Sequence, residues 1–176
     1  VLTDALYVEK ARAAFEQALR LSPTKPMLYL EYAQFLILIG HNDLALEALK
    51  KGWEVEKSYG EMTASFWALA AFSKREDIIE RLRKEVPLSS FANEQLMRIA
   101  QGYQRAKNFV PALEIYKILV ERNPQNPKMR AVYAALLAEN GNFQEARKQV
   151  EETVKLDPSF EAESKVFLEE LSRIER

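Results

Sequence analysis

The chain has no cysteine, which excludes disulfide bridges and thiolate metal sites but leaves the compartment open. It has one histidine, His41, set in a turn beside Asn42 and Asp43, a poor place for a ligand or general base. Glycine is scarce, and its five copies form no phosphate-cradling loop; a nucleophile elbow and a metal-ligand cluster are absent as well. The adjacent carboxylates Glu151 and Glu152, or Glu169 and Glu170, lie on helix faces exposed to water and do not converge. No enzymatic chemistry, metal or cofactor is therefore implied. An excess of either charge is also missing: 25 basic against 26 acidic residues give a net charge of −1 and no electrostatic reason to expect nucleic acid or an anionic membrane. No apolar run approaches the roughly 18 residues of a membrane span. The longest runs from Phe35 to Ile39, and the start at Val1 lacks the pattern of a signal peptide.

What the sequence does contain is a period of 34 residues. Ala100, Phe109, Ala112 and Pro124 recur as Ala134, Phe143, Ala146 and Pro158. Each copy reads as two amphipathic helices joined by a tight turn, the second ending at a proline that cannot continue it. Alanine at 100 and 112 lets two antiparallel helices approach closely, with Phe109 and Tyr116 filling the space beside them. Phe143 and Val150 take those places in the next copy.

The pattern extends backwards. Ala11 and Ala45 are also 34 apart, with Ala33 in the earlier small slot and Gly40 in the turn, as Gly141 is in the last copy. Ala11, Phe15, Ala18, Leu21 and Pro23 fit the second helix of a still earlier unit whose first helix is absent, capped by Thr3 or Asp4. Ala45 and Ala112 are 67 residues apart, one short of two periods, so the intervening unit is altered. Phe66, Trp67, Leu69, Ala70 and Phe72 mark its first helix. Ser73 and Glu76 predict a capping box opening its second, in which Ile78, Ile79, Leu82 and Val86 form one apolar stripe that Pro87 ends early.

Other start and stop signals complete the pattern. Pro26 opens a helix, Ser89 or Ser90 the next regular first helix, and Asn108 its partner, with Pro111 harmless in the first turn. Asn126–Pro127 and Asn142 with Glu145 open the last pair. Gly52, inside a helix, either faces a large neighbour such as Trp67 or is a tolerated drift, and Gly60 is expected to supply a left-handed cap. Beyond Pro158, a solvating helix should turn Phe167, Leu171 and Ile174 inward and leave Glu161, Glu163, Lys165, Glu169 and Arg173 in water.

A 34-residue unit with small residues at its eighth and twentieth positions and proline at its thirty-second resembles the tetratricopeptide repeat. The resemblance implies an all-α, right-handed α-solenoid of antiparallel helix pairs, about four units with one degenerate, and a C-terminal capping helix. The expected organisation is a single domain over 1–176. Within it lie a half-unit at 3–23, repeats at 26–59, 90–124 and 127–158, a shortened repeat at 61–87 and the capping helix at 160–175. A chain of this length can bury roughly 70% of its unfolded surface.

The resemblance also implies a concave groove lined by the first helix of each pair. Carried over slot by slot, the groove holds Met27, Leu30, Gln34 and Ile37, then Glu94, Met97, Arg98, Gln101 and Arg105, then Lys128, Ala131, Ala135 and Ala138. It should be apolar at one end and mixed or basic in the middle. Arg98 and Arg105, seven apart, share a helix face and either pair with a carboxylate-bearing segment, or are ordinary solvated surface arginines, or partner Glu94 and neighbouring repeats. Some tetratricopeptide domains clamp a terminal carboxylate with lysine and asparagine. The matching slots here hold Leu30 and Gln34, or Met97 and Gln101, so no such clamp is present. Tyr29, Tyr32, Phe66, Trp67, Tyr103, Phe109, Tyr116, Tyr133 and Phe143 sit at spacings that suit interhelical packing.

The implied function is a non-catalytic scaffold binding a peptide or protein segment in its groove, without nucleic acid or membrane insertion. The alternative is self-association, as a homodimer, through the end where the first helix lacks its partner and Leu6, Phe15, Leu19, Ile37 and Leu38 gather. The order of units is also similar to the soluble tetratricopeptide region of bacterial O-antigen ligase or polymerase-like membrane proteins. That similarity implies an accessory domain of a cell-envelope polysaccharide system. With neither an initiator methionine nor a complete first repeat, the chain is expected to be a domain of something longer, tethered to a membrane protein outside this segment.

Overall fold

Proline at helix starts and left-handed residues at the turns cut this sequence into short helices, ten of them among the described residues of the computed structural model, 2–174, with side chains from Ala5 onward. They are α1 (Leu2–Leu21), α2 (Pro26–Leu38), α3 (Asn42–Val55), α4 (Gly60–Phe72) and α5 (Glu76–Glu85), then α6 (Asn93–Arg105), α7 (Phe109–Arg122), α8 (Pro127–Glu139), α9 (Phe143–Leu156) and α10 (Glu161–Ile174). Short 3-10 turns occupy Leu88–Ser90 and Pro158–Phe160, and no strand occurs among the described residues. The chain forms two compact units, Val1–Gly102 and Tyr103–Arg176, with the boundary inside α6.

The turns between paired helices share one backbone device. Gly40, Lys74, Lys107 and Gly141 all have positive φ, between 55° and 82°. Their spacings of 34, 33 and 34 place the lost residue between the second and third turns. There α5 has ten residues where α3, α7 and α9 have fourteen, because Pro87 stops it. Seven residues before and five after each turn residue stand the alanine pairs, and all six alanines are buried. In the shortened repeat those two positions hold Trp67 and Ile79, also buried.

In the first unit, Phe15 of α1 stacks on Tyr32 of α2 with ring centroids 5.4 Å apart and lies 5.5 Å from Phe35. Trp53 of α3 meets Phe66 of α4 at 6.0 Å, and Trp67 meets Phe91 edge-on at 6.0 Å. The Trp53 ring is fully buried under Lys57 and Arg81, whose charged groups stand 4.7 and 4.8 Å from its centroid. Arg81 also donates to Glu54 and Glu85, and Lys57 to Glu85, so a charged lattice covers the indole. In the second unit, Leu137, Ala146 and Leu171 form a cluster that Leu113, Tyr133, Ala138, Phe143 and Phe167 pack against.

Several local expectations are corrected. Ser73 does not open α5; it closes α4, while Arg75 stands at the α5 N-cap and its guanidinium donates to Asp77 at 2.9 and 3.0 Å. Gly60 is the first residue of α4 rather than a left-handed cap. Gly52 is approached by Met62 and Tyr29, not Trp67: a Cβ there would stand 2.5 Å from Met62 Cε and 2.7 Å from Tyr29 Cβ. Ser89 and Ser90 belong to a 3-10 turn, and α6 opens at Asn93, where Gln95 accepts from the Ala92 N–H at 3.0 Å. Thr3 and Asp4 lie within the α1 backbone, and their side chains are outside the described residues. Asn108 and Asn142 stand at N-caps without a side-chain cap bond, whereas Asn126 accepts from the Met129 N–H at 3.1 Å. Leu171 is buried and Phe167 half-buried as expected, but Ile174 is exposed because it ends its helix beyond the cluster. Residue 175, placed in the capping helix by sequence, lies outside the described residues.

Candidate functional site

The alternation that buries one face of each first helix also decides which predicted groove residues are open. On α2 the buried stripe is Tyr29, Leu30, Ala33 and Leu36. Leu30 therefore packs in the core at 5% exposure, while Met27, Gln34 and Ile37 are exposed. Met27 Sδ accepts from the Tyr59 hydroxyl at 3.6 Å.

On α6, Leu96, Ile99 and Ala100 take the core, Glu94 and Gln101 are exposed, and Met97 and Arg98 are half-buried. The Arg98 guanidinium donates to the Glu61 carboxylate and, at 2.9 Å, to the Ser65 hydroxyl. The partner of Arg98 within its own chain is thus Glu61 of α4. Arg105, in the second unit, is exposed.

The second unit brings together what the sequence listed as three alanines of α8. Ala131 and Ala135, with Phe160, Glu163, Ser164 and Phe167 across from them, line a cavity of 220 Å³ whose floor is Val150 and Thr153. A second cavity, of 380 Å³, shares Ala135 and Phe167 and continues past Ala138, Glu139, Phe143, Glu170, Leu171 and Ile174. Together they make a recess between α8 and α10, open because alanine side chains do not reach across it. Lys128 does not line it; its charge instead acts on Asp157, whose carboxyl is held below the ordinary range first by hydrogen bonds from Ser159.

The contribution of α10 was not drawn from the sequence, which treats that helix as a solvating cap. A signal was available. Starting at Glu161, α10 stands 34 residues after Pro127 and is in register as the first helix of a further unit. On its other side it shares a larger opening, 960 Å³, with α9, lined by Arg147, Lys155, Lys165 and Arg173 together with Glu151, Glu161 and Glu169.

The first unit carries a cavity of 350 Å³ between α1, α2 and α3. In its wall Glu16 accepts from Arg12 at 3.0 Å and from the Tyr32 hydroxyl at 3.2 Å. The Arg12 hydrogen bond holds the Glu16 carboxyl below its usual value, and burial raises that of the Tyr32 phenol. Among the described residues, no three His, Cys, Asp or Glu side chains are placed to hold a metal ion. No described helix is long and apolar enough to cross a membrane.

Residues 103–165 match the family model described as tetratricopeptide repeat. A TPR repeat-containing thioredoxin of Arabidopsis thaliana, TTL4, is 34% identical over 68 residues, which are 39% of this chain and 10% of that protein. Among solved structures, MamA superposes with a TM-score of 0.62 at 15% identity, over 86% of this chain and 90% of that one. YrrB, described as a TPR protein with an unusual peptide-binding site, superposes with a TM-score of 0.56 at 17% identity, over 82% of this chain and 75% of its own. At such identities the likeness shows the fold. The chain is an all-α helical-repeat solenoid, and the match over residues 103–165 supports its place among tetratricopeptide repeat proteins.

Proposed function

We propose that this chain is a non-catalytic protein-interaction scaffold that holds a peptide or protein segment against its first-type helices. The observation that carries the reading is the recess between α8 and α10, with Val150 and Thr153 in its floor and alanines along α8 that leave room for incoming side chains. Tetratricopeptide proteins are generally interaction scaffolds, and the YrrB description adds a peptide-binding case on the same fold. In the first unit the exposed Met27, Gln34 and Ile37 of α2, with Glu94, Met97 and Gln101 of α6, are assigned the same role. A phage-displayed random peptide library panned on the chain tests the reading. Binding of the selected pool should fall about tenfold or more when Ala135→Trp fills the recess, and undiminished capture by that variant would overturn it.

The repeats at 26–59, 61–87, 90–124 and 127–158 are carried as parts of one domain over 1–176. Coincident unfolding by circular dichroism and tryptophan fluorescence supports this, and two separate transitions refute it. Self-association is the second reading, favoured by the exposure of Leu38 at 84% and Leu6 at 53%. Phe15 leaves that surface because it stacks on Tyr32. A monomeric mass at high protein concentration removes this reading. An accessory role beside a bacterial cell-envelope polysaccharide protein, with the domain tethered to a membrane-embedded neighbour, is the pathway-level form of the proposal. It rests on the layout of regular and shortened repeats. Translation of the adjoining coding sequence without apolar stretches of about 20 residues would set it aside.

A further inference from the structure

We infer that the partner of the α8–α10 recess is a basic segment, a stretch of chain bearing lysine or arginine beside an apolar side chain. The inference rests on reading that recess as a peptide site. Its charged lining residues are Glu139, Glu163 and Glu170, and neither cavity has a lysine or arginine in its wall. None of the three carboxylates makes a hydrogen bond or ion pair among the described residues. Other carboxylates of the chain are already answered: Glu16, Glu61, Asp77, Glu85 and Glu152 are each engaged by an arginine or lysine of their own chain.

The bases of α10 make no ion pair with these carboxylates among the described residues. Lys165 and Arg173 both line the opening toward α9, on the other side of the helix. Three like charges at one recess between low-dielectric walls raise the local potential and leave an attraction that a cation satisfies. Phe160 and Phe167, both half-buried in the wall, add aromatic surface on which an ammonium or guanidinium group gains further. A segment presenting carboxylates would meet repulsion at all three positions. The apolar part of the partner belongs over Ala131 and Ala135, where the recess is deepest in Val150 and Thr153, both buried.

Fluorescence anisotropy with two labelled peptides, one alternating leucine with lysine and one alternating leucine with glutamate, tests the inference on the full chain. The lysine peptide should bind at least tenfold more tightly. Its affinity should drop about tenfold in the Glu163→Lys, Glu170→Lys double variant, and should weaken as salt rises. Glu169→Lys, which changes a residue of the opposite opening, serves as a control for charge reversal elsewhere on the same helix and should stay within about twofold of the parent. Equal binding of both peptides, absence of binding by the lysine peptide, or an equal loss in Glu169→Lys would overturn the inference. Ala135→Trp separates the two readings. If it blocks a glutamate peptide that binds well, the recess remains a peptide site of opposite chemistry; if it blocks neither peptide, both readings fall.

Discussion

Gly102 of α6 lies directly on the backbone of Ala68 of α4, so that a Cβ at 102 would overlap the Ala68 carbonyl oxygen and stand 2.8 Å from its Cα. A backbone obstacle cannot rotate aside. Gly102→Ala should therefore destabilise the fold by about 2–3 kcal/mol, although alanine is the better helix former by about 1 kcal/mol. Urea unfolding measures this, and a variant as stable as the parent would show that the two helices can separate freely.

Gly52→Ala should cost less. Its obstacles are Met62 Cε, the mobile end of a flexible side chain, and Tyr29 Cβ, which is fixed to α2. The expected loss is about 1–2 kcal/mol in the same assay. The order of the two glycine variants is the sharper check, because it depends on backbone against side chain rather than on size.

The turn residues give an opposite sign. Lys74 and Lys107 sit at φ 55° and 56°, where an L side chain is strained and glycine is not. Lys74→Gly and Lys107→Gly are each expected to raise stability by about 0.5–1 kcal/mol, the strain relief exceeding the added freedom of the unfolded chain. Gly40→Ala and Gly141→Ala should lower it by a similar amount, and since nothing lies within 4 Å of either added Cβ, the effect is one of backbone alone. Thermal midpoints that shift the same way in all four variants would contradict this account.

Three asparagines at helix starts should separate by their hydrogen bonds. Asn126→Ala removes the bond from the Met129 N–H and should cost about 1 kcal/mol. Asn108→Ala and Asn142→Ala remove no side-chain cap bond and should cost clearly less. Equal losses at all three, read by denaturant unfolding, would mean that the cap bond is not what position 126 contributes.

The pH dependence has two limits. The carboxyls of Glu16, Asp77, Glu85 and Glu152 lie below their ordinary values, first through hydrogen bonds from Arg12, Arg75, Lys57 and Lys155. On acidification the unfolded chain takes up protons at these groups before the folded chain does. Their contribution is complete above the ordinary carboxylate pKa of about 4 and is lost as the pH falls below it through the depressed folded values. Burial raises the Tyr116 phenol, so its contribution is present below about pH 10 and is lost as the pH climbs through the folded value. Thermal midpoints should be flat near neutrality and fall at both ends. A midpoint rising steadily into acid would refute the carboxylate assignment.

Much of this fold was legible because its signals are local. Pro26 and Pro127 at helix starts, Gly40 and Gly141 at turns and the buried alanine pairs each depend on backbone preference or on contact within one helix pair. The errors have the same origin. Ser73 and Glu76 match a capping pattern, but α4 runs to Phe72 and the turn falls at Lys74, a lysine where a left-handed residue is not expected. Gly52 and Gly102 were misread or passed over because their close neighbours, Tyr29, Met62 and Ala68, come from other helices. The α8–α10 recess was half legible: the family resemblance pointed to Ala131, Ala135 and Ala138, while Glu163 and Glu170 lie on a helix beyond the last recognised repeat.

The sequence by itself determined the helix starts at Pro26 and Pro127, the turns at Gly40 and Gly141 and the early stop at Pro87, since proline, glycine and a 34-residue apolar period act over a few neighbouring residues. Only the tertiary structure decided which charges are already answered within the chain. Arg98 is held by Glu61 and Ser65, and Arg81 lies over Trp53 between Glu54 and Glu85, while Glu139, Glu163 and Glu170 face an open recess. That division depends on residues distant in sequence being packed side by side. Burial and pairing are properties of that packing.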